Sequence, residues 1–201
     1  MVKEMVIWSL RAGESDGCRL TELGVHQVEV AASAALARHH VRLTAIRRGA
    51  ERDAWHAGRQ VKRLLAQFNV EQVVAEELTS PSCLPGACVC GEVARMVRPD
   101  RAETVAHWLH CDPEALQRRT RVLVMLHELA DQMLHGSHVL LVESGQGHPV
   151  IELAVPDELA GCFPRLAHGE MVRCQARLDE SGFRFTEVTR LPCPLAPTAA
   201  V

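Results

Sequence analysis

Tyrosine is absent from this chain of 201 residues, which carries only four phenylalanines and three tryptophans. Leucine, valine and alanine must therefore fill the interior, a constraint on packing that leaves the chemistry open. Long apolar runs are missing as well. Stretches such as Val139–Val142 fall far short of the roughly 20 residues a membrane-spanning helix needs, so no membrane span is expected. The N-terminus, Met1-Val2-Lys3-Glu4-Met5-Val6-Ile7-Trp8, lacks the long apolar stretch and small-residue cleavage site of a secretory signal, and the protein is read as cytoplasmic. Charge of one sign is also lacking. The 22 Lys and Arg residues are interspersed among 25 Asp and Glu, for a net charge of -3, which favours neither a nucleic-acid nor an acidic-membrane partner.

What is present suits a globular domain. Hydrophobic residues make up 47% of the chain, enough for a core without cross-links, so the eight cysteines are expected to be reduced thiols. Met5–Leu10 reads as a buried strand running into a glycine-containing loop. From Thr21, a suitable cap, a helix of about four turns follows through the Ala-rich segment Val30–Ala37. Val41–Ile46 is strand-like, Glu51–Phe68 has apolar residues near helical spacing, and Glu71–Ala75 reads as a third strand. Thr79–Gly91, rich in Pro, Gly and Cys, should be irregular.

Val93–Leu109 and Pro113–Leu134 look helical, the latter with Asp112 as cap and Pro113 at the first helical position. His138–Val142 is the next buried strand, and Val150–Leu159 a further helix. Glu170–Leu178 and Phe183–Val188, separated by Asp179-Glu180-Ser181-Gly182, form an antiparallel hairpin. The pattern predicts an α/β domain over 1–191, with a mostly parallel sheet covered on both faces and an antiparallel C-terminal element. A flexible tail follows over 192–201.

Two N-terminal segments carry a resemblance. Arg11-Ala12-Gly13-Glu14 and Leu20-Thr21-Glu22-Leu23-Gly24-Val25-His26-Gln27 are similar to the Arg-His-Gly-Glu and Leu-Thr-x-x-Gly-x-x-Gln motifs of the histidine phosphatase (phosphoglycerate-mutase-like) superfamily, in the same order and spacing. Arg48–Ala57 resembles that family's Ser-x-x-x-Arg-Ala-x-x-Thr-Ala stretch, with Arg52 and Ala57 matching outright. His138–Val142 leads into Glu143-Ser144-Gly145, where the family has a Ser-His-Gly or Thr-His-Gly turn. Glu76-Glu77-Leu78-Thr79 is similar to the compact bacterial phosphohistidine phosphatases, which lack a large cap. The resemblance implies a phosphoglycerate mutase-like three-layer sandwich.

It also implies a histidine that attacks phosphorus, surrounded by two arginines and a second histidine. Here the nucleophile's position holds Ala12 and the second histidine's position holds Ser144. A methyl group cannot be phosphorylated, and a hydroxyl lacks the cationic donor that would stabilise developing charge. The chain is therefore expected to be catalytically inactive, with Arg11, Arg52, Ser144 and Gly145 left to bind an inorganic anion or a small phosphorylated ligand, or to face a protein partner. In the plainer alternative the arginines pair with Glu14, Glu51 or Glu77 and only hold loops together. The rival enzymatic expectation is residual or altered phosphomonoester or phosphohistidine hydrolysis, using Ser144, His56 or a water activated by Glu77 as the acid or base; His148 is a further candidate imidazole.

No cofactor is expected. Cys83, Cys88 and Cys90, with His107, His110 or Cys111 near in sequence, could hold zinc, but their spacing is not the paired Cys-x2-Cys arrangement. His127-Glu128 is followed by Asp131 where a zinc protease needs histidine, and Gly145-Gln146-Gly147 is too short for a dinucleotide fingerprint.

Overall fold

Lys3–Arg11 (β1) lies in the middle of a six-stranded sheet because both of its faces are apolar: Met5 and Ile7 pack to one side, Trp8 and Leu10 to the other. The other strands are β2 (Ala45–Arg48), β3 (Ala75–Glu77), β4 (Ser137–Glu143), β5 (Met171–Asp179) and β6 (Gly182–Leu191). Their order is β3-β2-β4-β1-β5-β6, the first four parallel and the last two antiparallel. The structure, a computed structural model, describes residues 2–49, 51–68, 75–77, 113–145, 151, 154–156, 159, 166–191, 193 and 195; for 75–77, 113–116 and 118 it describes the backbone.

Helices cover both faces, giving the three-layer sandwich. Against one face, α1 (Glu22–Ala32), the π-helical turn Ser33–Ala37 and α2 (Arg52–Gln67) bury Val28, Leu36, Val61 and Leu65 on Trp8, Leu10, Leu140 and Val142. Against the other, α3 (Pro113–Gln132) sets Val122, Leu126, Leu129 and Ala130 at helical spacing onto Ile7, Val139, Leu141 and Val172. Thr21 caps α1, its hydroxyl accepting the Gly24 N–H at 3.0 Å.

Several boundaries differ from the pattern reading. The second strand, expected over Val41–Ile46, is Ala45–Arg48, because Val41 N–H still closes the preceding helix by donating to the Leu36 carbonyl at 3.0 Å. The third, expected over Glu71–Ala75, is described over Ala75–Glu77, with 69–74 outside the described residues. The irregular segment Thr79–Gly91 and the helix Val93–Leu109 also lie outside them, and so does most of Val150–Leu159. Within the expected flexible tail, Cys193 is buried with its thiol 3.9 Å from the Gln27 carbonyl.

Parallel strands end together, so Arg11, Arg48, Glu77 and Glu143 close one edge of the sheet. Arg11 is level with Glu143, and Arg48 with both Val142 and Glu77. Open α/β sheets carry their sites at such carboxyl edges.

Candidate functional site

The residues that carry the N-terminal resemblance hold one another in place. Gly13 and Gly24 bring the β1 loop onto the first turn of α1 at backbone contact: a β-carbon on Gly13 would stand 2.1 Å from the Gly24 carbonyl oxygen. Glu14 N–H donates to Gln27 Oε1 at 2.9 Å, Thr21 N–H to the Glu14 carbonyl at 2.9 Å, and the Thr21 hydroxyl to the Glu14 carboxylate at 3.0 Å. Gln27 is buried, and its Cβ lies 2.6 Å from where a side chain on Gly169 would begin. Gly13, Glu14, Thr21, Gly24 and Gln27 thus serve to dock loop on helix. None of these contacts requires phosphorus chemistry.

One residue past the strand ends, Ala12 and Ser144 follow Arg11 and Glu143 on neighbouring parallel strands, and Ala12 N–H donates to the Glu143 carbonyl at 2.8 Å. Ala12 is fully buried in the layer beneath α1 and α2. Ser144 turns to α2 as well. Its hydroxyl donates to Asp53 Oδ2 at 2.9 Å, and the Gly145 N–H donates to the same oxygen at 2.8 Å. Asp53 Oδ1 accepts the Ala54 N–H at 2.8 Å, so the carboxylate, only 2% exposed, is bonded through both oxygens.

The two arginines differ in burial. Arg11, 3% exposed, points to the α3 side, where its guanidinium donates to the Gly145 carbonyl at 2.6 Å and to the Leu166 carbonyl. Arg52 is exposed at the first position of α2. Of the expected anion set of Arg11, Arg52, Ser144 and Gly145, Arg11 bonds the Gly145 carbonyl, whereas the Ser144 hydroxyl and the Gly145 N–H bond Asp53. The Arg11 guanidinium is held in part by the two backbone carbonyls of Gly145 and Leu166. Glu77 lies in register with Arg48 on β3, separated from β1 by the two strands β2 and β4, and only its backbone is described.

His56 sits on α2 with its ring 5.2 Å from that of Trp55, and His148 lies outside the described residues. Another imidazole occupies the site. His168, in the loop before β5, places Nδ1 at 3.3 Å from the Ala12 carbonyl oxygen, and the ring touches the space above Gly145 at 3.0 Å. Gly169 N–H donates to the Arg11 carbonyl at 3.1 Å, and the Glu170 carboxylate accepts the Ala167 N–H at 2.6 Å and a bond from Arg190, so the loop is strapped down on both sides of His168.

Beside it opens a cavity of about 620 Å³, lined by Arg11, Glu14, Leu23, Gln27, His168 and Leu195 among others. On the α3 side, below Arg11, burial and the nearby Glu143 charge push the Cys174 thiol far above its ordinary range, leaving it a neutral thiol. Cys83, Cys88 and Cys90 lie outside the described residues; among those described, no three His, Cys, Asp or Glu side chains are grouped to hold a metal.

No protein-family model and no curated protein sequence matches the chain. Solved structures do. A mycobacterial glucosyl-3-phosphoglycerate phosphatase superposes with a TM-score of 0.60 at 15% identity, over 95% of this chain and 99% of that one. A phosphoglycerate mutase from Bacillus anthracis gives 0.58 at 13% identity, over 94% and 93%. The chain has the phosphoglycerate-mutase-like fold.

Within this fold, the alternating strand and helix order placed Ala12 and Ser144 side by side at the carboxyl edge, as the sequence resemblance implied. Asp53 and His168 were not singled out from sequence. Asp53 stands where the family motif has alanine, a departure visible in the sequence whose meaning emerges only when α2 packs against the β4 turn. His168 had no local signal, since the loop that carries it reaches Ala12 only through the β1 to β5 pairing. Among the described residues no helix is long and apolar enough to cross a membrane.

Proposed function

We propose that this protein is a catalytically inactive phosphatase-fold protein that acts by binding a small anionic ligand. The observation that carries this reading is at the end of β1: the nucleophile's position holds a buried methyl group, Ala12, and the adjacent Ser144 hydroxyl is engaged by Asp53. The 620 Å³ cavity is in the usual range for a small-molecule site. Arg11 and His168 supply cationic or proton-bearing groups to its wall, Glu14 and Gln27 supply acceptors, and Leu23, Leu166 and Leu195 supply apolar surface. A phosphorylated or carboxylated metabolite with an apolar portion fits that lining. The mycobacterial phosphatase of the same fold has been solved with inorganic phosphate and with VO3, which supports a phosphorylated ligand here.

The test is phosphohydrolase activity on p-nitrophenyl phosphate and on phosphohistidine peptides. Rates no higher than buffer are expected. Turnover that disappears in Arg11→Ala would overturn the inactive reading. His168 favours one rival, a phosphatase whose imidazole comes from the β5 loop rather than from β1, because its ring lies against Ala12 and Gly145. Phosphate on residue 168, found by mass spectrometry under acid-free conditions and lost in His168→Ala, would establish that rival.

A further inference from the structure

Two donors at the β4 turn converge on a single oxygen. The Ser144 hydroxyl and the Gly145 N–H reach Asp53 Oδ2 at 2.9 and 2.8 Å, a pair of hydrogen bonds aimed at one carboxylate oxygen. Such a pair is what an oxyanion requires, and here the oxyanion belongs to the chain. Asp53 is almost fully buried, so its charge is poorly screened and its hold on both donors is not diluted by water. Through Ser144 and Gly145 it is held at the carboxyl edge of the sheet.

We infer that Asp53 is an internal ligand, a carboxylate that occupies an oxyanion receptor formed by Ser144 and Gly145 and bars inorganic phosphate from it. Two effects act together. The carboxylate satisfies the donors, and its charge repels any second anion brought within a few ångströms, a penalty of the kind that sets specificity by exclusion. Asp53 is thus the specificity-determining residue at this edge: it turns oxyanions away from the β4 turn and leaves the cavity lined by Arg11, Glu14, Gln27 and His168 as the place for a ligand. The inference rests on the inactive reading only in that no phosphoryl transfer is assigned to this receptor.

The experiment is calorimetric titration of the full chain with inorganic phosphate and with vanadate, on wild type, Asp53→Ala and the double variant Asp53→Ala, Ser144→Ala. Asp53→Ala should bind roughly tenfold or more tightly than wild type, because a like charge is removed and two donors are released. Most of that gain should vanish in the double variant. No gain in Asp53→Ala, or a gain indifferent to Ser144→Ala, overturns the inference and leaves Asp53 a purely structural cap. Should Asp53→Ala fail to fold, Asp53→Asn keeps the shape without the charge; it must still gain affinity over wild type, and equal affinity overturns the inference. The outcome is separable from that of the proposed function, since cavity binding would respond to Arg11→Ala in wild type and turnover is measured independently.

Discussion

Gly24 approaches Glu14 so closely that a β-carbon on Gly24 would stand 1.9 Å from the Glu14 carbonyl oxygen. The obstacle is backbone, and the Glu14 carbonyl is also the acceptor for Thr21 N–H. Gly24→Ala is therefore expected to force the β1 loop off α1 and destabilise the fold by about 2–4 kcal/mol, overpacking compounded by loss of loop contacts. Urea unfolding followed by circular dichroism measures this. A midpoint unchanged from wild type would show that loop and helix do not depend on that contact.

The same contact explains why the fold was legible from so little sequence. The Arg-x-Gly-Glu and Leu-Thr-x-x-Gly-x-x-Gln segments survive as mutual fittings: Gly13 against Gly24, Glu14 against Gln27 and Thr21. They report architecture, and so they point to the phosphoglycerate-mutase-like fold even where Ala12 and Ser144 depart from the motif residues. Helix α2 was legible because its apolar residues repeat at helical spacing. The β2 boundary was misplaced because a π-helical ending, with Val41 bonded back to Leu36, has the same apolar content as a strand. The direction in which Arg11 points could not be read at all, because it depends on which face of β1 the residue occupies and on the carbonyls of Gly145 and Leu166, more than 130 residues away in sequence.

Those carbonyls give Arg11 a structural role that can be measured. Arg11→Met keeps much of the buried volume and removes the donors to Gly145 and Leu166, and a loss of about 2–3 kcal/mol is expected, the usual range for buried hydrogen bonds to a charged group. Arg11→Lys should recover only part of it, because an ammonium cannot present the planar fork that reaches two separated acceptors. Equal stability of the lysine variant and wild type in chemical denaturation would contradict this geometry.

His138 should make stability depend on pH. Burial, and then the nearby Arg173 charge, hold its pKa below the ordinary 6.5. Its Nδ1 accepts the Trp8 indole N–H at 3.3 Å and its ring stacks on Trp8 with centroids 6.2 Å apart, both suited to a neutral imidazole. In the unfolded chain the proton is bound more readily, so this contribution is fully present above pH 6.5 and is lost as pH falls through the lower folded value. Melting temperatures compared between wild type and His138→Gln should therefore converge as the pH is lowered from 7.5 towards 5. Parallel curves would show that His138 does not titrate on unfolding.

Cysteine reactivity provides the last test. Cys18 is exposed in the loop between β1 and α1, whereas Cys174 is buried on β5, level with Ile7, with its thiol held neutral by burial and by the Glu143 charge. Only the thiolate attacks an alkylating reagent, and burial also blocks its approach. Iodoacetamide at pH 8 is expected to label Cys18 in the native protein within minutes, and Cys174 only after denaturant opens the sheet. Peptide mapping at these two positions distinguishes them from the other thiols. Native labelling of Cys174 at a rate near that of Cys18 would mean that the β1 to β5 pairing opens far more often than a central strand of this sheet should allow.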